Sequence, residues 1–350
     1  MGRDCAGIEE GAPRLVSVIM PAYNCERTVA ESIEGVLAQT YRPIELLVVD
    51  DGSSDRTRDV LEGYRDRVRI EHQANGGVAS ARNSGITRTS GEFVALIDCD
   101  DLCDPDRIAL QVAALDRFPE AVACSTSFSA FDAEGEVSPD YGSRYYSSLE
   151  QAPGGLQGLY PRSADVSAPG GGSASARLGS IYEQVAFGNF VHPPTFMVRR
   201  SAIERAGLQD TALRYTSDWE WIVRLARTGP FVHLDRPLLR YRLSPGQLSG
   251  HTTSAGTALG ILDTARKIFE ADPALARRNA ARVRAALREF HLDAAYALSA
   301  TCKREAFSHL LESLRLGERS TGALRIALRI GLPAKVLERL RRARAGPTGA

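Results

Sequence analysis

Short apolar runs alternate with amphipathic stretches along the first hundred residues of the chain. The apolar runs begin at Leu15, Ile44, Val68 and Phe93, and between them apolar residues recur at the spacing of a helix. Strands that alternate with helices in this way predict βαβ units around a largely parallel sheet. The pattern therefore predicts an α/β fold for this part of the chain.

Polar residues mark where several of the predicted helices begin. Thr28, with Glu31 three residues later, is typical of a capping box, in which each side chain accepts a hydrogen bond from the other residue's backbone N–H. Ser54 or Asp55 is predicted to cap the second helix, and Ser201 a helix in the second half of the chain. Each signal predicts the point at which the chain leaves a loop for a helix.

The fourth apolar run ends abruptly in three acids, Asp98, Asp100 and Asp101. Because unpaired carboxylates are costly to bury, we expect them at the carboxyl end of the strand, where open α/β sheets bind ligands. Closely spaced acids suit a hard divalent cation, which takes oxygen ligands and usually shares them with a substrate phosphate. On its own, an acidic turn is more often a solvated loop or a helix cap before Pro105.

Two other predicted strands also end in polar residues. Tyr23 and Asn24 follow the first strand, and Asp50 and Asp51 end the second. Three strands that end in polar residues at one edge of the sheet are better explained by a single nucleotide-binding site than by coincidence. The chain contains neither GxGxxG nor GxxxxGK[ST], so we expect a metal ion and arginines to neutralise the phosphates.

Four motifs in this region carry a resemblance to a known family. They are Val16–Asn24 (VSVIMPAYN), Val49–Ser53 (VDDGS), Asn75–Asn83 (NGGVASARN) and Asp98–Asp101 (DCDD). Together and in this order they resemble the family 2 glycosyltransferases over residues 15–115, and the resemblance continues more weakly to about residue 250. It implies a GT-A-like fold, with a mostly parallel nucleotide-binding sheet flanked by helices, and transfer of a sugar from a nucleotide-sugar with inversion at the anomeric carbon.

The resemblance implies roles for residues at the ends of the first two strands. Pro21, Ala22 and Tyr23 would line the nucleobase and ribose pocket. Asp51, beside Asp50, would accept a hydrogen bond from the uracil imide. Without the resemblance, Asp50 would be interpreted as an acid stabilised by the N-terminal dipole of the following helix.

The resemblance also implies which residues bind the ribose, the diphosphate and the metal ion. Asp98 or Asp100 would hold the ribose, and Asp100 or Asp101 would bind Mg²⁺ or Mn²⁺ between the two phosphates. Arg82 would approach the base or the diphosphate, although a solvated helix residue is the plain alternative. Arg242 matches an arginine that meets the diphosphate.

In the second half of the chain, the resemblance implies that Asp218 is the catalytic base. It precedes the aromatic pair Trp219 and Trp221, with Ser217 where a further acid is usual, and a helix N-cap is its alternative role. We expect Asp218 and the metal ion to face each other across the sugar. Trp221 is assigned to the core, Trp219 is an acceptor platform or core, and His192 is an acceptor-pocket residue or a packed loop histidine.

Residues 135–180 are rich in glycine and proline, as in Pro153–Gly155 and Pro169–Ser173, which do not sustain the interior of a helix or strand. Long stretches without secondary structure inside a domain are usually lids, binding loops or disordered inserts. We therefore predict a mobile acceptor-side loop. Its tyrosines are candidates for stacking on a sugar: Tyr141, Tyr145, Tyr146 and Tyr160.

Charge divides the chain unevenly although the formal net charge is zero. Residues 251–350 hold 18 Lys and Arg against 9 Asp and Glu, while the first 250 residues hold 25 against 34. The basic part has helical spacing, and its amphipathic segments 323–330 and 336–342 either pack on the domain or contact an anionic membrane surface. We predict a flexible N-terminus over 1–13, a glycosyltransferase domain over 14–250 and a helical C-terminal region over 251–350. Within the domain, 14–115 would bind the nucleotide-sugar and 185–250 the acceptor.

The cysteines, the first residues and the lengths of the apolar runs bear on the cellular location of the protein. Six cysteines without paired CxxC spacing favour reduced thiols and a cytoplasmic location, and the first eleven residues have no secretory signal pattern. No run approaches the roughly twenty apolar residues of a membrane-spanning helix. Peripheral contact with the inner face of the membrane stays open, and no nucleic-acid partner is expected.

These features together predict an inverting, metal-dependent glycosyltransferase. It would move a sugar from a nucleotide-sugar, most simply a UDP-sugar, to a hydroxyl of a saccharide or lipid-linked saccharide, as in cell-surface polysaccharide synthesis. A nucleotidyltransferase is the second enzyme class, but the first loop lacks the glycine-rich basic sequence that it needs. A non-catalytic sugar-nucleotide-binding protein is the third interpretation, against which the intact acids argue.

Overall fold

A computed structural model describes residues 14–150, 152–244 and 254–331. The strands are β1 Val16–Ala22, β2 Ile44–Asp50, β3 Arg69–His72, β4 Phe93–Leu96, β5 Leu102–Cys103, β6 Ala123–Asp132, β7 Gly135–Ser138, β8 Arg162–Ser167, β9 Ser173–Gly179, β10 Met197–Arg199 and β11 Phe231–Arg242. The helices are α1 Val29–Leu37, α2 Thr57–Glu62, α3 Val78–Thr87, α4 Arg107–Arg117, α5 Gly142–Tyr145, α6 Ser147–Glu150, α7 Gly155–Leu159, α8 Tyr182–Val185, α9 Arg200–Ala206, α10 Ser217–Ala226, α11 Ala255–Ala271, α12 Pro273–Arg278, α13 Ala280–Leu298, α14 Lys303–Arg315 and α15 Thr321–Arg329.

The described residues divide into two compact units. Of these residues, the first unit contains those up to 181 together with 190–211 and 224–243. The second contains 182–189, 212–223, 244 and 254–331. The predicted boundary near 250 therefore differs in one respect, because the chain around Asp218 groups with the C-terminal helices.

The first unit begins with four parallel strands in the spatial order β3-β2-β1-β4. β1 lies between β2 and β4, with Ala22 opposite Asp50 and Ile19 opposite Leu96. Because parallel strands end at the same edge, the acids that follow β2 and β4 lie two strand spacings apart, roughly 10 Å. The predicted strands and their shared edge are confirmed.

The rest of the sheet is mixed. β10 is antiparallel to both β4 and β6, so β6 runs in the direction of β4, and β11 is parallel to β6. Phe131 and Arg242, near the carboxyl ends of these two strands, are opposite each other. The carboxyl ends of β6 and β11 therefore lie at the edge of the sheet where the acids follow β4.

The prediction that residues 135–180 lack regular structure is wrong. β8 and β9 form an antiparallel hairpin, with Arg162 opposite Leu178, and β9 pairs with β11 to join the main sheet. Gly170, Gly171 and Gly172 form the turn of this hairpin, where Gly171 has φ 92°. Gly154 and Gly155 lie instead at the start of α7. Short strands beside a glycine-rich turn give little local signal, since the hairpin is stabilised by the pairing of β9 with β11.

Two of the predicted helix caps are also wrong. α1 begins after Thr28 as expected, but the Thr28 hydroxyl donates to the Cys25 carbonyl at 3.4 Å and makes no cap bond. Glu31 instead accepts a hydrogen bond from Arg242 Nη2 at 2.5 Å. α9 begins at Arg200, so Ser201 is not its cap. A tertiary ion pair thus takes Glu31 away from the local bond that its spacing suggests.

The second unit is largely helical, which confirms the predicted C-terminal helical extension. Ala295, Leu298, Leu310 and Ile326 belong to its apolar core. Residues 212–223 join it through the Thr216 and Thr264 hydroxyls, 2.6 Å apart, and further contacts to α11 and α13. Among residues 14–331, apart from those left undescribed, no helix is long and apolar enough to cross a membrane.

Candidate donor-binding site

Asp51 organises the turn that precedes α3. Its carboxylate accepts hydrogen bonds from the backbone N–H groups of Gly76 and Gly77, at 2.9 and 2.8 Å, and from Gln73 Nε2 at 2.7 Å. Gly77 has φ 85°, a conformation that glycine adopts without strain. A buried carboxylate held by three donors fixes the NGG sequence against the end of β2. Whether it also binds uracil stays a prediction.

We expect Asp51→Ala to release this turn. Losing three charge-assisted hydrogen bonds at a buried position should lower the free energy of unfolding by about 2 to 4 kcal/mol. Hydrogen exchange would show faster exchange at the Gly76 and Gly77 amides. Asp59→Ala is the matched control, because Asp59 is exposed on α2 and its exchange and stability effects should be negligible. Unchanged protection of the two glycines in Asp51→Ala would contradict this role.

The ends of β1 and β2 are joined by polar side chains. Asn24, in the left-handed conformation with φ 49°, accepts a hydrogen bond from the Ser54 backbone N–H at 2.8 Å. Asp50 accepts from the Ser53 N–H at 3.1 Å and lies 2.9 Å from His72 Nδ1. Burial opposes ionisation of Asp50, but the hydrogen bonds from Ser53 and His72 lower its pKa. The carboxylate is therefore held charged by its local partners.

The three predicted residues of the nucleobase pocket differ in their surroundings. Pro21 and Ala22 are buried within β1. Tyr23 follows the strand and its side chain is 51% exposed. Only the tyrosine ring therefore presents a large open surface at the edge of the sheet.

Arg82 and Asp98 form an ion pair at the end of β4. Arg82 Nη2 donates to Asp98 Oδ1 at 2.8 Å, and Arg82 is only 4% exposed. The alternative of a solvated helix residue is therefore wrong for Arg82. Its Nε is buried without a hydrogen-bond partner within the described chain, while the Asp98 side chain is one-third exposed.

Arg242 connects the end of β11 to the acidic loop, which is residues Asp98–Asp101. Its backbone N–H donates to Asp101 Oδ1 at 3.0 Å and its Nε to the Asp100 carbonyl at 2.8 Å, while Nη2 pairs with Glu31. Its guanidinium also lies 4.5 Å from the centre of the Phe131 ring. The structure thus brings Arg242 together with the predicted metal ligands, and it adds Glu31, whose role sequence reasoning missed.

The acidic loop fits a bound cation. Asp101 is fully buried, and its Oδ2 has no hydrogen-bond partner in the described part of the chain. Burial raises the pKa of Asp101 well above its usual range, and the neighbouring charges of Asp100 and Asp98 raise it further. Within those residues, however, no three His, Cys, Asp or Glu side chains form a complete metal-binding group. This suits a cation held by one or two carboxylates and otherwise by substrate phosphates and water.

His192 lies in an aromatic cluster of the first unit. Its ring stacks on Phe128 with centroids 4.4 Å apart, and Tyr146 Oη lies 3.1 Å from His192 Nδ1. Burial lowers the pKa of His192 to about 3, so the ring is neutral at physiological pH. Of the four tyrosines singled out in the sequence, three join this cluster, whereas Tyr160 is buried against His233.

The second unit contains the two remaining predicted site residues. Asp218 is partly exposed in the first turn of α10, one residue inside the helix rather than at its N-cap. Trp219 is 4% exposed, and its indole N–H donates to the Val185 carbonyl at 2.7 Å. Its burial favours the core for Trp219, as predicted for Trp221, which is also buried.

Comparison with known proteins defines the class. Residues 17–163 match the model of the family described as Glycosyl transferase family 2. This part of the chain is therefore a family 2 glycosyltransferase domain, and the resemblance carried by the four motifs is confirmed.

Individual glycosyltransferases are similar in sequence to part of this chain. A stretch of 103 residues, 29% of this chain, is 44% identical to the UDP-Glc:alpha-D-GlcNAc-diphosphoundecaprenol beta-1,3-glucosyltransferase WfgD of Escherichia coli and covers 41% of that protein. The chain spans less than half the length of several such relatives, between 26% and 45% for three glycosyltransferases of Rickettsia typhi and Bacillus subtilis.

Solved structures match almost the whole chain at low identity. The S. aureus TarS 1-349 structure in complex with UDP superimposes on 94% of this chain and 87% of its own, with a TM-score of 0.57 and 19% identity. The mannosyltransferase PcManGT from Pyrobaculum calidifontis, in complex with GDP-Man and Mn²⁺, covers 95% of this chain and 86% of its own, with a TM-score of 0.54 and 17% identity. The likeness confirms the predicted GT-A-like fold.

Proposed function

We propose that the protein is an inverting glycosyltransferase that transfers a sugar from a UDP-sugar to a hydroxyl of a saccharide. The observation that carries the proposal is the gathering of Arg82, Asp98, Asp100, Asp101 and Arg242 at the sheet edge where β1, β2 and β4 also end. Ligands of open α/β sheets bind at this edge. The family match of residues 17–163 supports the same conclusion.

Residues of the nucleotide-sugar-binding half, 14–115, hold the nucleotide and its diphosphate together with Arg242. The Tyr23 ring stacks on the base, with Pro21 and Ala22 behind it and Asp50 and Asp51 at the end of β2. Asp98 binds the ribose, and Arg82 lies beside Asp98. Arg242 stabilises the negative charge that develops on the leaving diphosphate.

Asp100 and Asp101 are the residues that would hold Mg²⁺ or Mn²⁺. We assign direct binding to Asp100, which is partly exposed, and positioning through Arg242 to the buried Asp101. When bound, the cation supplies further stabilisation of charge on the diphosphate. The structural neighbour crystallised with GDP-Man and Mn²⁺ supports a divalent cation here.

Asp218 is the proposed base. An acceptor hydroxyl is a poor nucleophile until its proton is removed as the new bond forms, and an ionised carboxylate takes that proton. The helix dipole favours an ionised acid in the first turn of α10.

The donor and acceptor are inferred from relatives. WfgD is named as using UDP-Glc and a diphosphoundecaprenol-linked sugar, and TarS has been crystallised with UDP and with UDP-GlcNAc. These names support a UDP-sugar donor and a saccharide or lipid-linked acceptor for this chain.

A thermal-shift screen with Mn²⁺ tests the donor proposal. We expect one or more UDP-sugars to raise the unfolding midpoint, because a ligand at about 100 times its Kd stabilises the folded form by roughly 2.7 kcal/mol. GDP-mannose is the matched nucleotide control, and EDTA should remove most of the shift. A chain whose midpoint responds to no nucleotide-sugar would overturn the proposed function.

Peripheral membrane contact is a further part of the proposal. α15 packs Ala323, Ile326 and Ala327 into the core of the second unit and leaves Arg325 and Leu328 exposed. The apolar face is thus already covered, so contact would depend on this exposed basic face and on residues 336–342, which lie outside the described residues. Flotation with anionic vesicles, comparing the full chain with Arg325→Glu, measures the contribution of α15.

A further inference from the structure

His192 is a buried histidine of the first unit whose two ring nitrogens differ in their hydrogen bonding. It is 6% exposed, and its Nε2 is buried without a hydrogen-bond partner within the described chain. Two other buried histidines differ in this respect. His233 has Ser125 Oγ at 3.1 Å from Nδ1 and Ser127 Oγ at 3.2 Å from Nε2, and both nitrogens of His291 also have partners.

The surroundings of His192 hold its ring in one orientation. Phe128 stacks against one face with an interplanar angle of 14°, and Tyr241 stands perpendicular to the ring at 5.0 Å. Tyr146 Oη, 3.1 Å from Nδ1, engages the other nitrogen. A neutral imidazole with Nδ1 engaged has one hydrogen bond left to make, as donor or acceptor, at Nε2.

The charged side chains that act on the His192 ring belong to residues 14–115, the half predicted to bind the nucleotide-sugar. Asp98, Arg82 and Arg107 are near enough to influence His192 electrostatically, and Arg82 Nε is a second buried nitrogen without a described partner. Buried polar atoms without partners are uncommon in folded proteins and indicate a missing water, ion or ligand. Two such atoms, in residues that both interact with Asp98, point to a polar ligand that reaches past the ribose.

We propose that His192 Nε2 hydrogen-bonds a hydroxyl of the donor sugar, and that Tyr146 holds the ring for this contact. The inference rests on the proposed donor function and deepens it, because it makes His192 a specificity residue for the sugar rather than for the nucleotide or the acceptor. A sugar hydroxyl both donates and accepts, so it satisfies Nε2 in either tautomer.

Isothermal titration of the full chain with Mn²⁺ tests the proposal, using UDP, UDP-glucose, UDP-galactose and UDP-GlcNAc as probes. We expect His192→Phe to weaken binding of the preferred UDP-sugar about tenfold, the loss of one hydrogen bond, while UDP binds as before. The phenylalanine ring keeps the stacking on Phe128, and the unfolding midpoint should stay equal or rise, because an unsatisfied buried nitrogen is removed.

Three further variants separate binding from packing. His192→Gln, whose amide reaches the position of Nε2, should retain most of the preference for the UDP-sugar, whereas the shorter His192→Asn should not. Tyr146→Phe should cost about two- to fivefold in UDP-sugar binding, since it only loosens the ring. His233→Phe is the matched control, and it should lower the unfolding midpoint without changing the ratio of UDP-sugar to UDP affinity.

The outcomes distinguish this inference from the proposed function. Equal affinities of wild type and folded His192→Phe for every UDP-sugar would overturn it and leave a bound water as the partner of Nε2. Equal loss of UDP and UDP-sugar binding would also overturn it, by placing the effect at the nucleotide. A wild-type chain that binds UDP and no UDP-sugar would instead refute the proposed donor function.

Discussion

Asp218→Asn is expected to reduce sugar transfer by about 10² to 10⁴-fold while leaving donor binding intact. An amide of the same size cannot take the proton of the acceptor hydroxyl, and positioned general bases contribute rate factors of this order. The binding of UDP and UDP-sugar should stay within twofold of wild type, because the proposed donor residues all belong to the first unit. The measurement is initial-rate transfer together with titration of the donor.

Asp263→Asn is the matched control for Asp218. Asp263 is an exposed carboxylate on α11, also in the second unit, and its ion pair with Arg266 at 3.9 Å is weak. The control should transfer sugar at the wild-type rate. Near-normal transfer by Asp218→Asn would remove Asp218 from the proposed role, and loss of donor binding would point to misfolding or to a donor contact instead.

Asp100→Asn should lower turnover by about 10² to 10³-fold and abolish the dependence of UDP binding on Mn²⁺. The loss corresponds to a few kcal/mol of charge stabilisation by the cation at the diphosphate. The unfolding midpoint without ligand should change little, because Asp100 is partly exposed. Asp101→Asn should affect metal binding less, since its amide oxygen can still accept from the Arg242 N–H.

The control for the acids is Asp132→Asn at the end of β6. Asp132 accepts hydrogen bonds from the backbone of Glu134 and Gly135, which an asparagine side-chain oxygen also satisfies. It should keep the wild-type response to Mn²⁺. If Asp101→Asn lost the response and Asp100→Asn kept it, the assignment of the two acids would be reversed.

Local pattern predicted the first half of the fold well for a definite reason. β1 and β4 are buried along their length and β2 is buried from Leu46 onward, so each appears in the sequence as a mostly apolar run that ends in polar residues. The end of such a run fixes where Asp51 and Asp98 lie on the sheet. The helices between these strands then make the strands run parallel to one another.

The same reasoning failed where stability came from distant partners. Glu31 has the spacing of a capping box but pairs with Arg242, 211 positions further along the chain. β8 and β9 surround a glycine-rich turn, and this hairpin joins the sheet because β9 pairs with β11. In both cases a tertiary contact decided the structure, and the local pattern did not show it.

Sequence alone determined that Tyr23, Asp51 and Asp98 lie at strand ends along one edge of a parallel sheet, because burial periodicity and strand ends are local properties. Only the tertiary structure decided that Arg82 is buried against Asp98 and that Arg242 donates hydrogen bonds to Asp100 and Asp101. It also decided that His192 Nε2 has no partner among the residues that the structure describes. Hydrogen-bond partners depend on which distant segments pack together, and no spacing along the chain encodes that. The proposed function depends on the carboxylates after β2 and β4 sharing a ligand, and a crystal structure of the complex with the UDP-sugar bound elsewhere would refute it.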